Sequence, residues 1–220
     1  MFESIKNKLK ELQKSFEEKK EDMNLEQFND PLALEIDWMP LKSGGANFQT
    51  KTLKKVSSSV YKFQLSTGAK IFIGLFAAIG IGILLIVTFV SLNGNASNMI
   101  FLGVFGLVFT LVSFLIFKAM AKPVVFDSNL GMMWKGKQAP KLSGDQKKNQ
   151  DIVYFNDVHA LQILSERVRT KNGSYLSYEL NLVLRDGKRI NVIDHGKQSQ
   201  ILIDAEEISR LLGKPIWDVS

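Results

Sequence analysis

The order of apolar and polar positions divides the chain into an uninterrupted apolar middle and two flanks that alternate. Ile71 to Leu92 holds no charged residue in 22 positions, and Met99 to Phe117 holds none in 19. At a rise of about 1.5 Å per residue, either run is long enough to cross a hydrocarbon layer of about 30 Å. Joined only by Asn93 to Asn98, the two runs predict an antiparallel transmembrane hairpin that occupies 68–122 with its flanking turns.

The flanks carry shorter periods. Phe2, Ile5, Leu9, Leu12 and Phe16 recur at 3-4-3-4 spacing, the stripe of an amphipathic helix over 1–24, suited to lie on the inner leaflet or to dock on protein. From 25 to 67 comes a connector marked by two prolines and a Gly-Gly pair, then a β-hairpin over Phe48 to Ser66 interrupted by Ser57 to Ser59. That hairpin either stands by itself or joins the strands that follow the spans. After Lys122 the period becomes two. A hairpin covers Val124 to Gly136, a further strand begins at Ile152, and a meander runs through Leu161–Thr170, Tyr175–Leu184 and Arg189–Asp194. Asn172-Gly173 and Asp186-Gly187 supply the positive φ of its tight turns. Leu180, Leu182 and Leu184 alternate with Glu179, Asn181 and Arg185, predicting one face for the core. A helix starting near Lys197 has the stripe Ile201, Ala205, Ile208 and Leu212, a cap at Gly213 and a stop at Pro215, after which Ile216 and Trp217 return to the core.

Composition narrows the chemistry. The net charge of +6 divides into +2 before the hairpin and +4 after it, which points to no nucleic acid. The absence of cysteine excludes disulfides, thiolate catalysis and Cys-ligated zinc. His195 beside Asp194 reads as a turn-capping pair, His159 as part of a strand bend, and Trp134 and Trp217 as core or interface anchors. No nucleophile with a supporting base and no metal-ligand cluster emerges, so no enzyme, catalytic residue, metal or cofactor is expected. The spans contain no ionisable residue, leaving proton relays and charged transport sites without candidates. Gly74, Ala78 and Gly82, with Gly103 and Gly106 in the second span, offer small surfaces for close helix packing, within the hairpin or between copies. Lys62, Lys70, Lys118 and Lys122 flank the spans while the turn between them is uncharged. By the positive-inside rule the chain is a multi-pass protein of the cytoplasmic (inner) membrane with both termini cytoplasmic.

Short antiparallel strands closed by one helix, carried by Val124 to Gly136 ("VVFDSNLGMMWKG"), Leu180 to Asp194 ("LNLVLRDGKRINVID") and the terminal "LLGKPIW", resemble bacterial inner-membrane proteins that join a pleckstrin-homology-like domain to a two-helix transmembrane hairpin. The resemblance implies a membrane α+β protein with a mainly antiparallel domain over 123–220 and a C-terminal helix. It also implies that Lys135, Lys137, Lys141, Lys147 and Lys148, around the loop after the first strand pair, could hold anionic head groups. The alternative is that these lysines are solvated charges partly balanced by Asp145 and Asp151. Membrane lipids and a protein partner or second copy are the expected partners. The function read here is non-enzymatic binding at the cytoplasmic leaflet; a membrane-resident immunity protein that neutralises a membrane-targeted toxin is the other reading. A reporter fused after Ser220 should be active in the cytoplasm, and activity only outside would overturn the topology.

Overall fold

The computed structural model describes residues 23–41, 44–94, 99–140, 152–171 and 173–220. The helix expected over 1–24 lies outside the described residues but for its last two positions, as do 95–98 in the inter-helix turn and 141–151 in the long loop. The chain forms two compact units, one over 49–153 and one from 1–48 with 154–220.

In the first unit, β1 (Lys51–Lys55) and β2 (Val60–Leu65) form the hairpin read from the sequence. One residue, Ser66, then separates β2 from helix α2 (Thr67–Leu92). Its hydroxyl accepts the Ala69 N–H at 3.0 Å, capping the helix, and donates to the Gln49 carbonyl at 2.7 Å, tying the helix start to the chain before β1. Helix α3 (Ile100–Met120) returns through Ala121 to Pro123 into β3 (Val124–Asp127), followed by β4 (Met132–Lys135) and β5 (Ile152–Tyr154). The five strands lie in sequence order in one sheet. Antiparallel β2 and β3 place Val60 opposite Asp127 and Phe63 opposite Val124, so the helical hairpin is inserted between two adjacent strands. Phe63 and Phe126 are fully buried and meet edge to face at 6.3 Å. Burial of each ring is worth about 2–3 kcal/mol, a drive for β2 to pair with β3.

The domain expected over 123–220 is therefore divided. Residues 124–135 and 152–154 complete the sheet begun by 51–65, while the strands from Val158 onward form a second sheet. Periodicity marks strands; which strands pair depends on the side chains each must cover.

Helices α2 and α3 are long and apolar enough to cross a membrane, and only 11% of the apolar window of each is buried. The core helix of a water-soluble protein would be mostly covered. Their mutual seam runs through Ile73 and Gly80 on α2 and Gly106 and Ser113 on α3, each pair seven residues apart, the spacing of a left-handed helix pair. A Cβ added at Gly80 would lie 2.7 Å from the Thr110 backbone nitrogen, and one at Gly106 would lie 2.9 Å from the Ile83 side chain. Phe76 and Phe109 stack at 5.6 Å beside this seam. At Gly103 the nearest approach is looser, 3.6 Å to Val87. Gly74 and Gly82 have no atom near enough to meet an added Cβ, and Ala78 is exposed. Gly80 lies two residues from both Ala78 and Gly82, about half a turn round the helix, so the close approach is on the face opposite the stripe read in the sequence.

In the second unit, β6 (Val158–Thr170), β7 (Gly173–Leu184) and β8 (Arg189–His195) form the expected meander, followed by α4 (Gln198–Leu212) and β9 (Ile216–Asp218). Gly213 ends α4 in the left-handed conformation at φ 64°. The short β9 lies parallel to β6, placing Leu161 opposite Ile216, and Trp217 is buried. Leu161, Ile163, Leu180 and Leu182 fill one face of the sheet, and α4 packs on β7 and β8 with Ile201, Ala205 and Ile208 fully buried.

The opposite face, which carries Glu179 and Asn181, is also covered. Leu25, Ala33, Ile36 and Trp38 pack there against Ala160, Leu164, Val183 and Trp217. The connector is thus an ordered strap. Asp30 caps the short helix α1 (Pro31–Glu35) through Leu32 N–H at 3.0 Å, the Trp38 indole donates to Ala33 O at 2.8 Å, and Phe28 stacks on Trp38 at 5.5 Å.

Gly80→Ala should lower the resistance of the helix pair to thermal or detergent unfolding by about 1–3 kcal/mol, because Thr110 backbone must move. Gly74→Ala should leave it unchanged; equal effects of the two in a melting series would refute this seam.

Candidate functional site

Two places gather polar chemistry, one in each unit, and they differ in kind. In the second unit the covered sheet face holds Gln162, Glu179, Asn181 and Arg189. Arg189 donates through Nη1 to Met39 O at 2.7 Å and Gln162 Oε1 at 3.2 Å, and through Nη2 to Asp37 Oδ2 at 3.1 Å. Glu179 Oε1 accepts from Asn181 Nδ2 at 2.6 Å and from Leu41 N–H at 2.9 Å, while Gln162 Nε2 donates to Asp37 O at 3.1 Å. Burial pushes the Arg189 pKa down, opposed by Asp37 and then Glu179, and a guanidinium stays charged in such surroundings. Four of these bonds, to Asp37 O, Asp37 Oδ2, Met39 O and Leu41 N–H, reach the strap, so this network fastens 37–41 to the sheet.

The histidines have comparable duties. His195 is fully buried and its Nδ1 accepts the Lys197 N–H at 3.1 Å, closing the turn between β8 and α4. Burial holds its pKa below 6.5. Asp194 accepts from Asn191 at 3.0 Å rather than from the imidazole, so the neighbours in sequence do not form a carboxylate-oriented base. His159 Nε2 lies 2.7 Å from Asp30 Oδ2, with its ring 5.6 Å from that of Trp217. Trp134 is buried on the first sheet with Val125 and Met132, and Trp217 lies in the core of the second unit. Among the described residues no three His, Asp or Glu side chains gather as a metal ion would require.

The other place lies at the junction of sheet and helices in the first unit. A recess of about 440 Å³ is lined by Phe114, Phe117, Lys118, Ala121 and Lys122 from the end of α3 and the chain after it, and by Gly136 and Lys137 after β4. The ladder sets this geometry. Val124 pairs with Lys135, and the Gly136 N–H donates to Pro123 O at 2.9 Å, which holds the turn carrying Lys137 beside Lys122. Lys51 Nζ donates to the Lys122 carbonyl at 2.9 Å, bringing a fourth ammonium to the same connector.

Of the lysines singled out in the sequence, Lys137 lines the recess and Lys135 is half-buried at the end of β4. Lys141, Lys147 and Lys148 lie outside the described residues. Lys118 and Lys122, read from the sequence only as markers of topology, stand at the same recess as Lys137. Their four-residue spacing continues from Phe114, a signal that would have placed all three along one side of the helix end.

Charge is segregated between the units. The described residues of 49–153 include nine lysines (51, 54, 55, 62, 70, 118, 122, 135 and 137) and a single acid, Asp127. Those of the other unit include thirteen acids against nine lysines and arginines. Division of the chain before and after the spans conceals this, because each unit draws on both sides.

No family model matches the chain, and no curated protein or solved structure is similar to it.

Asp204, on α4, is buried, with Oδ1 accepting from Gln200 Nε2 at 2.9 Å, and burial pushes its pKa up from 3.8 to about 6. The folded carboxyl keeps its proton where the unfolded one has lost it, so its ionisation costs stability as pH rises from about 4 to above 6, by about 3 kcal/mol in full. Asp204→Asn should remove that loss. In paired denaturation curves, where the His195 contribution cancels, the variant should gain on the wild type between pH 4 and pH 7.5; a constant difference would refute the assignment.

Proposed function

We propose that this protein is a non-enzymatic membrane module, held in the cytoplasmic membrane by the α2–α3 hairpin with both termini inside, which sets a basic sheet against the anionic leaflet and offers its second unit to a protein partner. The observation that carries this reading is the direct joining of nine lysines to the ends of two membrane-length helices. Only Ser66 lies between β2 and α2, and only three residues lie between α3 and β3. Such short connections keep the helix-proximal end of the sheet, with Lys51, Lys135 and Lys137, beside Lys70, Lys118 and Lys122 at head-group level, within a Debye length of about 8–10 Å. There each lysine is worth about 1 kcal/mol of attraction to anionic lipid.

Lys70 in the first turn of α2 and Lys118 and Lys122 at the end of α3 support the cytoplasmic placement of this end. The apolar runs 71–92 and 99–117 of these helices, almost free of buried surface, hold no charged residue through which to move protons or ions. Their role in this reading is attachment. An antiparallel sheet in chain order, then a three-strand antiparallel meander, then a helix supports the pleckstrin-homology-like reading of the β portion, with β9 as an addition after the helix. Among its described residues the second unit has acids in excess and no lysine cluster comparable to that of the first, which directs its recognition to protein.

The test uses the full chain in lipid nanodiscs, with phosphatidylcholine alone or mixed with phosphatidylglycerol. Backbone amides of the edge strand β1 should exchange hydrogen several-fold more slowly in the anionic discs, and high salt should remove the difference. Equal exchange in both discs would overturn the leaflet-facing role.

A further inference from the structure

We propose that the recess at the end of α3 is a discrete site for one anionic phospholipid, its phosphate held by Lys118, Lys122 and Lys137 and the upper part of an acyl chain laid along Phe114 and Phe117. This rests on the membrane placement argued above and goes further, since diffuse attraction to a charged leaflet needs no site.

Three features of the recess select the ligand. First, its lining is divided: Phe114 and Phe117 lie on the last apolar turns of α3, and the lysines lie at and beyond its end. A ligand that fills it must be apolar along one part and anionic at the other. Free phosphate would leave both rings unused, and a simple apolar molecule would strand three ammonium groups without a counter-charge. Second, the depth is right for a lipid. Phe117 is the final residue of the apolar run and Lys118 the next position, so the boundary between ring and ammonium coincides with the boundary between acyl chain and head group.

Third, the cations are assembled by the fold. Lys118 and Lys122 come from the helix end, whereas Lys137 is brought in by the pairing of β3 with β4 and fixed by the bond from Gly136 N–H to Pro123 O. Gly136 has a φ of 148°, a backbone conformation open to glycine and strained for other residues, which lets the chain leave β4 toward the recess. Asp127, the one acid among the described residues of this unit, sits at the opposite end of β3 from the recess. Lysines grip a phosphate as point charges through several donors, without the planar match an arginine would demand, so phosphate diesters of differing head groups fit.

The test is native mass spectrometry of the full chain released from nanodiscs of mixed phosphatidylcholine and phosphatidylglycerol, with relative retention of the two lipids read for each variant. Wild type should keep one phosphatidylglycerol in preference to phosphatidylcholine. Lys122→Ser with Lys137→Ser should reduce that preference by roughly twenty-five-fold, taking about fivefold per lysine. Lys122→Arg with Lys137→Arg should retain it, which separates loss of charge from loss of folding. Phe114→Ala should shorten retention of both lipids. Lys54→Ser with Lys55→Ser, on β1 and outside the recess lining, should lower the preference several-fold less than the recess pair. If the β1 pair lowers it as far as the recess pair, the attraction is diffuse, and the site is refuted while the leaflet-facing reading stands. If wild type shows no preference although β1 exchange slows in anionic discs, the site again fails alone. No preference together with no slowing defeats both.

Discussion

The pairing of β2 with β3 is the constraint on which the arrangement of the first unit depends. These strands are separated in sequence by the whole helical hairpin, yet they lie side by side with Phe63 opposite Val124. Closing so long a segment as flexible chain would cost about 3–4 kcal/mol in entropy. Two antiparallel helices reduce that cost because α2 carries the chain out by about 39 Å and α3 brings it back by about 32 Å, ending beside its start. Packed helices stand about 8–10 Å apart and paired strands about 4.8 Å. The three residues from Ala121 to Pro123, against one at Ser66, take up the difference. Sheet and hairpin then stabilise each other: each holds together the ends that the other requires.

From that junction follow the site and its charge. Had β3 and β4 belonged to a separate domain on a linker, Lys137 would have no fixed relation to Lys118 and Lys122. Because the ladder continues straight from the helix end, all three gather over the last exposed phenylalanines of α3. The same junction explains why the basic residues concentrate where they do. Lysines 51, 54, 55 and 62 on β1 and β2 join those at the helix ends in a single structural unit, although they lie far from Lys135 and Lys137 in sequence.

The second unit is organised by a different problem, a β-sheet with both faces to cover. Its apolar face takes α4. Its mixed face is covered by the Leu25–Leu41 strap, which supplies Trp38 and Ile36 to the apolar positions and backbone groups to Glu179, Gln162 and Arg189. Removal of the strap would break those bonds and expose Ala160, Leu164 and Val183 to water, which makes strap and sheet one cooperative body.

Local pattern alone determined the elements: the two long apolar helices, the hairpin before them, the strands after them, and α4 with its glycine cap are all legible because each depends on period, turn chemistry or length within a few residues. The sequence also showed that the spans lack ionisable groups and that lysines stand at their ends. Partnership was decided only by the tertiary structure. Which strands share a sheet, which face of α2 meets α3, and whether Glu179 and Asn181 face solvent depend on segments distant in the chain. Gly80 is the clearest case, for its neighbours Gly74, Ala78 and Gly82 make the more regular stripe, yet the close backbone approach falls at Gly80 because Gly106 and Thr110 stand opposite it. The recess was equally hidden. Lys118 and Lys122 announced an orientation by their position in the sequence, and they became a possible phosphate site only when strand pairing brought Lys137 beside them.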